Sequence, residues 1–162
     1  MSNFTMKSQV QFSLLLWVVV LLLVGFTIGS VTKPQIDSWY VCLNRSSLTP
    51  PNYVFPIAWT ILYMLLGVSG WLIWSAAASS RLLMLKVLFV VQLVFNWSWT
   101  PLFFYYHLIG LSLLVINCIV ALVTMMIFLA YPKNRLVSLL MLPYWVWTVF
   151  ADYLNFYIWL HN

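Results

Sequence analysis

The chain has 162 residues, of which 65% are hydrophobic, 19% aromatic and only 6% charged. Water-soluble domains carry about 25% charged residues, so an ordinary soluble fold is excluded and most of the surface must face something other than water. The formal charge of +5 comes from seven Lys and Arg against two acids. These bases stand singly between apolar blocks instead of clustering on a solvated face, which excludes nucleic acid as a partner and makes them determinants of membrane topology.

About 20 apolar residues cross a bilayer, and five stretches of the chain are that long. They cover residues 10–31, 55–78, 82–106, 108–131 and 136–160. The runs are too long and too little alternating for barrel strands, so they predict helices whose hydrogen bonds close within each segment. The fold class is therefore all-α, a polytopic membrane bundle of five helices in a single domain over 1–162. The first stretch follows Lys7 as a secretory signal would. Its apolar run exceeds the usual length of about 7–15 residues, and no small-x-small cleavage site follows, so it is kept as a helix.

Lys7, Arg81, Lys86, Lys133 and Arg135 fall on the side of the amino terminus; Lys33 and Arg45, with Asp37, fall on the other. That imbalance predicts an inside amino terminus. Short connections after the second, third and fourth spans force antiparallel neighbours. The long connection is residues 32–54, which holds Trp39-Tyr40, Arg45 and Pro50-Pro51. A loop of that length in a chain otherwise without loops is expected to cover something.

Three spans carry faces with a shared chemistry. Phe55, Trp59, Tyr63, Gly67, Gly70, Trp71 and Trp74 recur at helical spacing in the second, just after Pro50-Pro51. Gln92, Asn96, Trp99 and Phe103 do so in the third, where Pro101 marks a kink, and Tyr144, Trp147, Thr148, Ala151 and Asn155 in the fifth. Amides in hydrocarbon need partners, so Gln92, Asn96, Asn117 and Asn155 are expected to face the interior, as interhelical ties or as the floor of an aromatic ligand cavity. Asp152 is the acid within a span and thereby a functional candidate.

Other features have plainer readings. Trp17, Trp39, Trp145 and Trp159 suit the membrane interface, and Gly25 with Gly29 forms a small-xxx-small pair suited to close helix packing. Cys42 and Cys118 match no metal or redox spacing, and Cys118 is expected to pack as a small hydrophobe. His107 and His161 stand alone, so neither a metal site nor a cofactor is predicted.

The order and spacing of these motifs resemble the tryptophan-rich sensory protein/translocator protein family (TspO, also called the peripheral benzodiazepine receptor family). The likeness runs from Trp39-Tyr40 through Pro50-Pro51, Phe55-Pro56-Ile57-Ala58-Trp59-Thr60 and Tyr63 to Gln92-Leu93-Val94-Phe95-Asn96, Trp99 and Phe103-Phe104. It closes with Pro143-Tyr144, Trp147, Ala151, Leu154-Asn155, Trp159 and Asn162. The resemblance implies a five-helix bundle, often a homodimer, that binds porphyrins and sometimes sterols or synthetic isoquinoline and benzodiazepine ligands. By the same likeness Trp59, Asn96, Trp99, Trp147 and Ala151 line the ligand cavity, with the first loop (Trp39, Arg45, Pro50, Pro51) as its lid.

Three positions depart from the family's pattern. Arg45-Ser46-Ser47-Leu48 replaces the usual Lys-Pro-x-Trp before the double proline, and Asp152 replaces a small or hydroxylated residue. Trp159-Leu160-His161-Asn162 lacks the basic residue that ends the sterol-recognition pattern of animal members, which counts against cholesterol as a ligand. The compact chain without a charged tail looks more like a bacterial member, in a cell envelope membrane. The functional expectation is a receptor or carrier for a tetrapyrrole, with Trp59, Trp99 and Trp147 stacking on the macrocycle and Arg45 or Lys33 pairing its carboxylates. Two alternatives are a light-dependent porphyrin-degrading enzyme, proposed for family members, and a structural membrane protein whose stripes only pack. No hydrolytic triad, metal centre or nucleotide loop is present in the sequence.

Overall fold

The computed structural model describes residues 2–162, with side chains described for Gln9 and from Gln11 onward. Helix α1 runs Ser2–Ser38 and leads into a single 3-10 turn, Tyr40–Cys42. Helix α2 is Val54–Ser75, α3 is Ser80–Thr100 extended by a π-helical turn over Pro101–Tyr105, α4 is Ile109–Ala130 and α5 is Arg135–His161. Five helices are long and apolar enough to cross a membrane, and the described residues contain no strand. The chain is an all-helical integral membrane protein. Lys7 and Val10, which open the first predicted span, lie outside the described side chains.

The expected loop 32–54 is half helix. The polar stretch Thr32–Ser38 continues α1 instead of leaving it, and Pro34 sits inside the helix. Its hydroxyls turn back onto the backbone around the proline: Thr32 Oγ1 donates to the Ile28 carbonyl at 2.9 Å and to that of Gly29 at 3.2 Å, and Ser38 Oγ to that of Pro34 at 2.7 Å. Each hydroxyl thus finds its partner within the helix instead of competing with it, so the polar run does not end α1. The true loop is therefore only residues 43–53.

The helices pack in the order α1–α2–α5–α4–α3, and the π-helical turn closes the ring against α1. Caps set the short connections. Ser79 accepts from the Leu82 amide at 3.1 Å to start α3, and Asn134 accepts from that of Val137 at 3.3 Å to start α5. Pro101 has no amide proton, so the chain widens after it, with Tyr106 N–H reaching the Pro101 carbonyl at 3.0 Å. Consecutive Phe103 and Phe104 are both buried there.

Glycines on α1 and α2 let these helices meet. A Cβ on Gly67 would lie 2.7 Å from the Val18 Cα, and one on Gly25 2.3 Å from the Tyr63 ring. Gly29, the other half of the predicted small-residue pair, has nothing within 4 Å. The second-span stripe consequently divides. Its lower half faces α1, where Trp71 Nε1 donates to Ser13 Oγ at 3.1 Å and Trp74 lies 4.9 Å from Trp17. Only Phe55, Trp59 and Tyr63 are left on the half of the helix nearer the loop. Because Gly67 meets backbone, which cannot swing aside, Gly67→Val should lower stability by about 1–3 kcal/mol. A thermal melt in detergent checks this against Gly29→Val, which should melt with the wild type.

Candidate functional site

Two buried polar knots fix the upper half of the bundle. Gln92 and Asn96 lie one turn apart on α3, both facing inward. Tyr63 of α2 donates its hydroxyl to Asn96 Oδ1 at 2.7 Å, and Asn96 Nδ2 donates to the Tyr144 hydroxyl of α5 at 3.0 Å. Tyr144 in turn donates to Gln92 Oε1 at 3.0 Å. One chain of hydrogen bonds thus joins α2, α3 and α5, with Tyr144 fully enclosed.

The second knot joins α3, α4 and α5. Asn155 Oδ1 accepts from Trp99 Nε1 at 3.1 Å and from Ser112 Oγ at 3.0 Å, while its Nδ2 donates to the Ile109 carbonyl at 3.1 Å. Trp99 also stacks on Phe103, with ring centroids 5.4 Å apart. Both faces of this knot are occupied by protein, so Trp99, Phe103 and Asn155 form the back wall.

The front is aromatic and less enclosed. Phe55, Trp59 and Trp147 are half-buried. Phe55 meets Trp147 edge-on at 6.1 Å, and Trp59 lies 5.7 Å from Tyr63 and 6.4 Å from Tyr144. Ala151, buried one turn above Trp147 on α5, contributes only a methyl group. Two donors in this region, Trp147 Nε1 and Gln92 Nε2, are buried with no hydrogen-bond partner among the described residues. An unmet donor in an apolar interior is unfavourable and suits a site that an acceptor enters.

The connection after α1 closes the end of the bundle. Trp39 stacks on His107 at 4.0 Å and meets Phe103 at 5.6 Å, while Tyr40 packs on Phe104 at 5.4 Å. His107 adopts φ 55°, the left-handed turn that sends the chain into α4. Farther on, Asn44 N–H donates to Asn162 Oδ1 at 3.0 Å and Asn44 Nδ2 to the His161 carbonyl at 3.1 Å. Ser46 Oγ lies 2.9 Å from the Tyr153 hydroxyl. The loop is latched to the end of α5. Arg45, Pro50 and Pro51 border an open groove of about 650 Å³ along it, with Asn44, Ser46, Thr49, Asn52 and Tyr157.

Several expectations need correction. Asn117 does not face the interior: it is exposed on the outer side of α4, where Nδ2 donates to the Leu113 carbonyl at 2.9 Å and to Asp152 Oδ1 at 3.0 Å. The acid supplies the partner that the interior was expected to supply. Cys118 is likewise exposed rather than packed in the core. Trp17, expected at the interface, packs into the bundle against Trp74 and Phe89, and Trp145 donates to Thr124 Oγ1 at 2.8 Å. Sequence reasoning placed Tyr144 on a stripe without seeing it as the hub; its helical phase with Trp147 and Ala151 was the available signal. The latch between Asn44 and Asn162 had no local signal at all.

The model of the TspO/MBR family matches residues 17–160. The chain belongs to the TspO/MBR family. It is 34% identical over 149 residues to the tryptophan-rich protein TspO of Archaeoglobus fulgidus, covering 90% of this chain and 94% of that protein. It is also 34% identical over 137 residues to protein CrtK of Rhodobacter capsulatus, covering 83% of each. The human translocator protein is similar at 28% identity over 126 residues, 76% of this chain and 75% of that one.

The knots carry a stability prediction for this TspO/MBR family member. Interhelical hydrogen bonds in membranes average about 0.6 kcal/mol, and Asn155 makes three side-chain bonds. Asn155→Leu should therefore cost roughly 2 kcal/mol, because it also strands Trp99 Nε1. Denaturation in mixed detergent micelles measures it.

Proposed function

We propose that this chain is a membrane receptor or carrier that holds a flat tetrapyrrole, protoporphyrin being the type, against the aromatic wall between α2 and α5. The observation that carries the reading is the division of labour among the rings. Trp99, Asn96 and Asn155 are committed to other protein groups, whereas Phe55, Trp59 and Trp147 are half-buried and keep ring surface uncovered. The seam between α2 and α5 is thus apolar, aromatic and backed by a rigid polar net, the composition expected of a small-molecule site. Trp147 Nε1 adds a buried donor for an acceptor on the ligand. Stacking falls to Trp59 and Trp147, with Trp99 supporting from behind. Bilayer lipid surrounds the bundle in this reading, and a second copy of the chain is the protein partner that the family resemblance implies.

A titration of the detergent-solubilised protein with protoporphyrin tests the proposal through tryptophan emission. Quenching should saturate, and Trp59→Ala should weaken binding by about tenfold, the loss expected when one stacking ring is removed. Quenching that rises linearly without saturation, or identical affinity in Trp59→Ala, would contradict it.

A further inference from the structure

The two ends of the bundle differ in charge. Arg81, Lys86, Lys133 and Arg135 lie at the end where α3 starts and α4 stops. Asp37 and Asp152, the two acids of the chain, lie toward the other end, late in α1 and in α5. Two of these bases are engaged with rings. Lys86 Nζ is 5.4 Å from the centre of the Trp74 ring, and the Arg135 guanidinium is 5.3 Å from that of Tyr131. Arg81 and Lys133 are exposed and have neither an acid nor a ring as partner among the described residues.

An open groove of about 360 Å³ runs between α3 and α4 at this end, walled by Met84 and Leu88 on one side and Thr124, Met125, Phe128 and Leu129 on the other. Its one hydroxyl is spent. Thr124 Oγ1 donates to the Val120 carbonyl at 2.7 Å and accepts from Trp145 Nε1 of α5 at 2.8 Å. The groove therefore offers only hydrocarbon to whatever lies in it. It begins near the helix ends and reaches Leu88, about 12 Å along α3 from Ser80. The unpartnered bases stand at its mouth. Arg81, Met84 and Leu88 succeed one another at helical steps and share a face of α3. Lys133 follows Leu129 in the tight turn after α4, where its N–H bonds to the Ala130 carbonyl at 3.1 Å. Long basic side chains at helix ends extend along apolar surface and keep their charge at the headgroup level.

We propose that this groove is a site for an anionic phospholipid, whose acyl chain lies between α3 and α4 and whose phosphate pairs with Arg81 and Lys133. An apolar trough alone accepts any acyl chain. Two cations without a counter-ion of their own favour a headgroup whose negative charge no amine cancels. These bases thus select a lipid at one face of the bundle, besides orienting the chain in the membrane. The site is separate from the ring-lined seam, which lies toward the first loop at the other end, and does not depend on what the seam binds.

The full chain in phosphatidylcholine vesicles is supplied with phosphatidylglycerol or with phosphatidylcholine, each brominated on its acyl chains. Bromine quenches tryptophan emission on contact, and the share of quenching lost on Trp145→Phe reports the groove, since Trp145 bonds to Thr124 in its wall. A base near an anionic headgroup favours it by about fivefold, so the wild-type groove should prefer phosphatidylglycerol by about twentyfold. Arg81→Gln and Lys133→Gln should each lower that preference by about fivefold. Lys86→Gln removes the same charge from the same end but outside the groove, and should leave the preference intact. Quenching by brominated phosphatidylcholine that is equal in all these proteins shows that each is folded with its groove open. Equal quenching by the two lipids in the wild type overturns the site, as does a preference that survives both Arg81→Gln and Lys133→Gln or is lost equally in Lys86→Gln. A Trp145 share that neither lipid reaches also overturns it, and would mean that a second copy of the chain covers the groove.

Discussion

The organisation of the bundle depends on one physical constraint: amides and hydroxyls buried in an apolar interior must bond to one another. Gln92, Asn96, Tyr63 and Tyr144 lie in the interior, and together they engage every donor atom they bring except Gln92 Nε2. Because the chain of bonds runs through α2, α3 and α5, it fixes the rotation of each helix about its own axis. That rotation decides which rings point inward. Apolar packing alone would not do so, since lipid tails are as apolar as Leu and offer little preference for one helix face over another.

The same constraint explains why the site has a rigid back and a more open front. Asn155 gathers Trp99, Ser112 and the Ile109 carbonyl into a knot that closes the α3–α4–α5 side. On the α2–α5 side, Phe55 meets Trp147 edge-on and Trp59 meets Tyr63 and Tyr144 tilted and edge-on, an arrangement that leaves ring faces uncovered. Above them the loop is held by polar contacts at the end of α5. Such contacts near the membrane surface can exchange with water, whereas the knots below cannot. The loop side is therefore the end of the bundle that opens at the lower cost.

Much of this was legible in the sequence, for reasons that are local. Length and apolarity reveal spans, and helical phase put Gln92, Asn96, Trp99 and Phe103 on one buried face. Four things were not legible. Residues 32–38 are helical with Pro34 inside and with hydroxyls bonded back along the helix, which a count of turn-forming residues misreads. The position of Asn117 depends on Asp152, 35 residues away on the neighbouring helix, which lets two polar groups satisfy each other on the outer side. The division of the α2 stripe depends on where α1 crosses it, and Gly67 reveals the crossing only when Val18 is seen against it. The loop latch joins residues 118 apart, beyond the reach of any periodicity. Family likeness pointed to Trp59, Trp99 and Trp147 among ten tryptophans, three that the helical stripes had also picked out.

The central claim is that Asn96 couples α2 to α5 and so sets the face that the rings share. A double-mutant cycle on Tyr63→Phe and Tyr144→Phe, read by unfolding in detergent, tests it most directly, because these tyrosines bond to opposite ends of the same amide. The account predicts non-additive losses, with a coupling of about 0.5–2 kcal/mol through the shared Asn96. Losses that add within about 0.3 kcal/mol would mean that the two bonds act independently, and would contradict it.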